Sequence, residues 1–174
     1  TALQEVEWRG DDWLYLTTGG ADPVVDVAAP GLPPAPFTPE PAVDDFDTPQ
    51  LGPHFATLRN SPDPSWLSLE ERPGYLRLYG LQSLFSRHRQ SVVGRRIQHF
   101  TCEVETQLDF APENFQQMAG LAAFYDVNTL FYLHVTHDEQ TGRCLSILVM
   151  DQGEQREPLS GPIPLPPNGK IALK

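Results

Sequence analysis

Residues 95–110 read Arg-Arg-Ile-Gln-His-Phe-Thr-Cys-Glu-Val-Glu-Thr-Gln-Leu-Asp-Phe. Phe100, Cys102, Val104, Leu108 and Phe110 fall on one parity, and His99, Thr101, Glu103, Glu105, Gln107 and Asp109 on the other. Successive residues of a strand point to opposite faces, so this pattern predicts one long strand with a buried and a wet face. It constrains the chain to an all-β fold, a sandwich or a barrel.

Further short apolar or alternating runs lie at 55–59, 66–70, 75–79, 120–125, 130–136, 145–150 and 171–173. Turn-forming clusters separate most of them, among them Asn60-Ser61-Pro62-Asp63-Pro64, Arg72-Pro73-Gly74 and Asp138-Glu139-Gln140-Thr141-Gly142. Many short strands with such breaks predict two packed antiparallel sheets. The 18 prolines and 13 glycines suit that architecture better than a helical one. Residues 81–88 and 112–117 read as irregular, or as a helical turn at most.

The first residues read as a hairpin, Val6-Glu7-Trp8 and Trp13-Leu14-Tyr15-Leu16 around Arg9-Gly10-Asp11-Asp12. A stretch with seven prolines follows (Pro23, Pro30, Pro33, Pro34, Pro36, Pro39 and Pro41), which predicts an extended, semi-rigid linker. The net charge of −11 is concentrated here: residues 1–45 hold nine acids against Arg9 alone, leaving −3 for the rest. Such a balance disfavours nucleic acid and anionic membrane as partners. No apolar run is long enough to span a bilayer as a helix. The start is not a signal peptide and lacks Met, so the chain reads as cut from something longer. The end, at Lys174, falls inside a strand pattern, and more strands are expected to follow.

Cys102 and Cys144 both sit in apolar strand patterns, where buried free thiols are expected. A disulfide between them stays open, but a reducing, cytoplasmic setting is the better reading. No metal or cofactor site is expected. His134 and His137, three apart on a strand, point to opposite faces and make a poor metal pair. Asp44-Asp45-Phe46-Asp47 reads as a polar entry to a strand with Phe46 as anchor, since a calcium site needs more oxygens than it offers. Asp11-Asp12 reads as turn chemistry. The aromatic residues, Trp8, Trp13, Trp66, Tyr125, Phe131 and Tyr132 among them, fill a core or stack on sugar rings. Arg96 shares the apolar parity, and an inward Arg needs a partner. It is therefore the one candidate for a polar network or a pocket rim, and no catalytic residue is assigned.

Taken in order, Trp8-Arg9-Gly10-Asp11-Asp12-Trp13, the Pro-rich stretch, Asp44-Asp45-Phe46 and Arg95-Arg96-Ile97-Gln98-His99-Phe100 lead to Phe115-Gln116-Gln117-Met118-Ala119-Gly120-Leu121. Together they resemble the C-terminal part of glycoside hydrolase family 43 β-xylosidases. The resemblance implies a concanavalin A-like, jelly-roll sandwich over 44–174, a linker over 21–43, and the last strands of a preceding five-bladed propeller over 1–20. It implies that the catalytic carboxylates lie in that propeller, upstream of Thr1. It also implies that a later segment lends an aromatic residue to the active-site rim. The expected partners are the propeller itself and, through it, a xylo-oligosaccharide or arabinosyl substrate. An independent carbohydrate-binding module, a purely structural domain and a homo-oligomer are the alternatives.

Overall fold

A computed structural model describes residues 3–174. Thr1 and Ala2, part of the expected propeller remnant, lie outside the described residues. Thirteen strands occur among those described: β1 (Val6–Trp8), β2 (Leu14–Leu16), β3 (Phe55–Thr57), β4 (Leu67–Ser68), β5 (Arg77–Leu78), β6 (Val93–Arg95), β7 (Thr106–Leu108), β8 (Ala119–Asp126), β9 (Thr129–Asp138), β10 (Gly142–Asp151), β11 (Glu154–Arg156), β12 (Ile163–Pro164) and β13 (Ile171–Leu173). The chain divides into two units, the first running to Pro39 and the second from Glu40 to Lys174.

In the first unit β1 and β2 form an antiparallel hairpin with Trp8 opposite Leu14. Asp11 shapes its turn, accepting from the Trp13 N–H (3.3 Å) and the Tyr15 hydroxyl (2.6 Å). Asp12 takes a positive φ of 62°, which short polar side chains tolerate. The prolines that follow supply no N–H for a ladder, and residues 24–40 carry no strand.

The second unit is built on a sheet ordered β11-β10-β9-β8, with β12 pairing with β10. Its long hairpins are set by local chemistry. Between β9 and β10, Asp138 accepts from the N–H groups of Gln140 (3.0 Å) and Thr141 (2.8 Å). Between β10 and β11, Gln152 and Gly153 both have positive φ, the geometry that matches hairpin twist. Leu130, Tyr132, His134 and Thr136 share one parity of β9, and on β10 they meet Met150, Leu148, Ser146 and Cys144 in register. Leu130, His134, Thr136, Cys144 and Leu148 are buried. Gly120 of β8 lies so close to β9 that a Cβ there would stand 2.1 Å from the Leu133 carbonyl oxygen. A glycine is the residue that allows this approach. The remaining pieces are two-stranded ladders, β3 with β6, β4 with β5, and β7 with β13. Trp66, 1% exposed, anchors the loops beside them and donates from Nε1 to the Ser61 carbonyl (3.0 Å).

The long strand expected at 95–110 does not form. β6 ends at Arg95, β7 starts at Thr106, and residues 96–105 have no ladder. Phe100, Cys102 and Val104, expected inside, are exposed. Alternation supplies an apolar face, but a strand also needs a neighbour to take its N–H and C=O groups. None reaches this run among the described residues. The strands at 120–125, 130–136 and 145–150 are present and longer than expected, whereas β11 and β12 were not expected at all.

Candidate functional site

The parity argument made Arg96 an inward residue. It is exposed, in the run that forms no strand. Its neighbour Arg95, on β6, makes the contacts: Nη1 donates to the Pro41 carbonyl (2.8 Å) and Nη2 reaches Glu40 Oε2 (3.2 Å). The guanidinium also lies 5.7 Å from the Phe55 ring centre, so Arg95 ties the start of the second unit to β3.

Arg143, at the start of β10, is the inward Arg that the sequence reading missed. It is 5% exposed, and donates to the Pro166 carbonyl (2.8 Å) and the Gly169 carbonyl (2.9 Å). Its Nε has no partner. The signal was available, because Arg143 shares the parity of Leu145 and Ile147. It was overlooked because the expected strand began only at Leu145. Gln90 is similarly buried and donates to the Leu84 and Ser86 carbonyls, closing the loop between β5 and β6.

His134 is buried and stacks on Tyr132, with ring centres 4.7 Å apart. Burial pushes its pKa below 6.5, while the Tyr132 carbonyl and the charge of Glu157 pull the other way. Burial alone pushes the Tyr132 phenol up to about 12. These values belong to a packed sheet face. Among the described residues, no cluster of three His, Cys, Asp or Glu side chains is placed to hold a metal. Asp44 accepts from the Phe46 N–H (2.9 Å) and stands 3.4 Å from His54 Nε2, and the Phe46 ring meets Phe55 at 5.6 Å. Phe46 therefore anchors against β3, but the acidic cluster does not itself enter a strand, since β3 starts only at Phe55. Asp11, held by Tyr15 and the Trp13 N–H, has its pKa lowered and serves its turn.

One surface feature has ligand-like character. Phe131, 57% exposed on β9, lines a shallow hollow of about 610 Å³ with Val149, Arg156, Glu157 and Pro158. An apolar ring face beside a guanidinium and a carboxylate can pack against a sugar and bond its hydroxyls. Arg156 is already paired with Asp151.

The antiparallel sheets define an all-β module. The chain belongs to the Beta xylosidase C-terminal Concanavalin A-like domain family, whose model matches residues 43–174. It is 45% identical over 148 residues to a "Xylan 1,3-beta-xylosidase" of Vibrio sp, covering 85% of this chain and 27% of that protein. It is 40% identical over 167 residues to a "Beta-xylosidase" of Bacillus subtilis (strain 168), covering 95% of this chain and 31% of that protein. The crystal structure of a xylan beta-1,4-xylosidase from Bacillus Halodurans C-125 superimposes with a TM-score of 0.84 at 51% identity, over 97% of this chain and 32% of that one. The chain thus spans under a third of the length of these relatives.

Proposed function

We propose that this chain is the supporting C-terminal β-sandwich of a longer xylan-degrading glycoside hydrolase. It walls one side of the active-site pocket of the preceding propeller and performs no hydrolysis itself. The observation that carries this reading is the family match over 43–174 to a domain that makes up under a third of xylosidase relatives. In the longer enzyme one carboxylic acid would protonate the leaving oxygen while a second carboxylate activates water, inverting the anomeric centre. Exposed Arg96 is a candidate for the pocket rim, as an exposed guanidinium is free to meet a carboxylate or a hydroxyl. Two free cysteines favour a reducing compartment.

The test is turnover of aryl β-xylosides and aryl α-L-arabinofuranosides. The purified chain is expected to hydrolyse neither, and the longer polypeptide to hydrolyse at least one. Turnover by this chain, abolished by changing one of its own acids, would overturn the reading. The Phe131 hollow favours a second reading, an independent carbohydrate-binding module. Calorimetric titration of this chain with xylo-oligosaccharides decides it: affinity lost in Phe131→Ala supports the module, and no heat of binding removes it.

A further inference from the structure

Residues 72–102 hold six arginines and no aspartate or glutamate, in a chain whose net charge is −11. Three of the six are neutralised from outside the stretch: Arg72 by Asp109, Arg77 by Glu71 and Arg95 by Glu40. Arg87 and Arg89 take part in no ion pair among the described residues. Neither does Arg59, whose Nη1 lies 3.5 Å from Gln90 Oε1. All three are exposed, as is His88 between two of them. They share one support. Gln90, 1% exposed, donates to the Leu84 and Ser86 carbonyls, and its own carbonyl accepts from the Asn60 amide (2.9 Å). Gln82 closes the loop from its other end: its N–H donates to the Arg89 carbonyl (3.0 Å), and its Oε1 accepts from the Arg89 N–H (3.3 Å). Asp63, which feels the charge of Arg89, is already held by the Ser65 N–H (2.8 Å). One exposed arginine is ordinary solvated surface. Several on one closed loop, with no acid of its own, make a local positive field that attracts an anion.

We propose that the loop 82–90, with Arg59, binds the carboxylates of an acidic xylan, a xylose chain that carries uronic acid branches. The proposal rests on the reading of this chain as part of a xylan-degrading enzyme and names a class of substrate for it. A guanidinium meets a carboxylate through two parallel N–H···O bonds, a geometry that a neutral sugar cannot offer. Phe85, 38% exposed on the same loop, adds an apolar ring against which a sugar can pack. A loop already closed by its own hydrogen bonds gives up little freedom on binding. Nucleic acid is the poorer ligand. It carries a charge about every 1.7 Å of its axis and would run onto the rest of the chain, which holds every acid. Uronates are spaced along a neutral backbone and can meet the loop alone.

Calorimetric titration of this chain with xylotetraose bearing one glucuronic acid branch, and with unbranched xylotetraose, tests the proposal. The branched sugar is expected to bind about tenfold more tightly, the scale of one charge-assisted bond, and added salt should narrow the gap. Arg87→Gln/Arg89→Gln should abolish the preference while leaving the urea midpoint in place, since both side chains are exposed. Arg87→Lys/Arg89→Lys, which keeps the charge and loses the fork, should restore part of it. Equal affinity for the two sugars, or no binding of the branched one, overturns the proposal. So does a preference that survives the double Gln variant. Competition by polyglutamate or DNA as strong as that by the branched sugar would make the loop a general polyanion surface and equally overturns it. Turnover of aryl β-xylosides is read separately on the longer polypeptide, and its absence overturns the functional reading whatever the titrations show.

Discussion

Arg143 shows what a single buried charge does in this fold. Its guanidinium bridges the Pro166 and Gly169 carbonyls and so fixes the turn that delivers β13 to β7. Removing it deletes two part-buried hydrogen bonds from a charged donor, and a bond of that kind contributes about 1.5–3 kcal/mol. Arg143→Met should lower the unfolding free energy on that scale, read as a lower urea midpoint at an unchanged slope. Arg143→Lys should recover only part of it, since one ammonium cannot span both acceptors in a fork. His134 has its folded pKa below the ordinary 6.5, so the unfolded chain binds the proton more readily. The stability that this residue contributes is complete above pH 6.5 and is lost as pH falls from there through the folded value. Denaturation midpoints should therefore fall between neutral pH and mild acid, and His134→Gln should flatten that part of the profile. Tyr132 works at the other end. Its folded pKa of about 12 lies above the ordinary 10, so stability should fall as pH rises through that interval, by about 1.4 kcal/mol per unit.

At the level of elements, β8, β9 and β10 were legible because everything that specifies them is local. Alternation marks the strands, and Asp138 with Gly142 or Asp126 with Asn128 marks the turns. β11 and β12 escaped because three-residue and two-residue strands carry too little pattern to be seen. The stretch 96–105 failed for the opposite reason, having the pattern and lacking the partner. The inward-Arg argument was sound in kind and misplaced by the same error: a parity says nothing about burial until the strand is known to pair. Arg143, on a strand that does pair, is where it applies. Gly120 tests how tightly β8 and β9 approach. Gly120→Ala places a Cβ against the Leu133 carbonyl, and backbone cannot yield as a flexible side chain would. A loss of about 1–3 kcal/mol is expected in thermal or urea unfolding.

For the whole molecule, the division into two units makes a proteolytic prediction. Residues 19–40 are exposed throughout and carry no strand, whereas the second unit holds the sheet. Exposed backbone without hydrogen-bonded partners is where proteases cut first. Thermolysin cleaves before apolar residues and should nick near Val25, Leu32 or Phe37, all exposed, leaving a resistant product that spans the second unit. Early cleavage inside β8–β10 would contradict the division. The all-β class was legible from strand spacing, and its concanavalin A-like type only from the family resemblance. The Phe131 hollow was not, because exposure of a strand aromatic depends on what covers its face.

The exposed thiol at Cys102 also governs how the purified chain behaves in air. Oxidation would join two molecules sulfur to sulfur through Cys102, and Cys144, buried, would take no part. A dimer band on a non-reducing gel that vanishes with dithiothreitol would then reflect storage and not assembly.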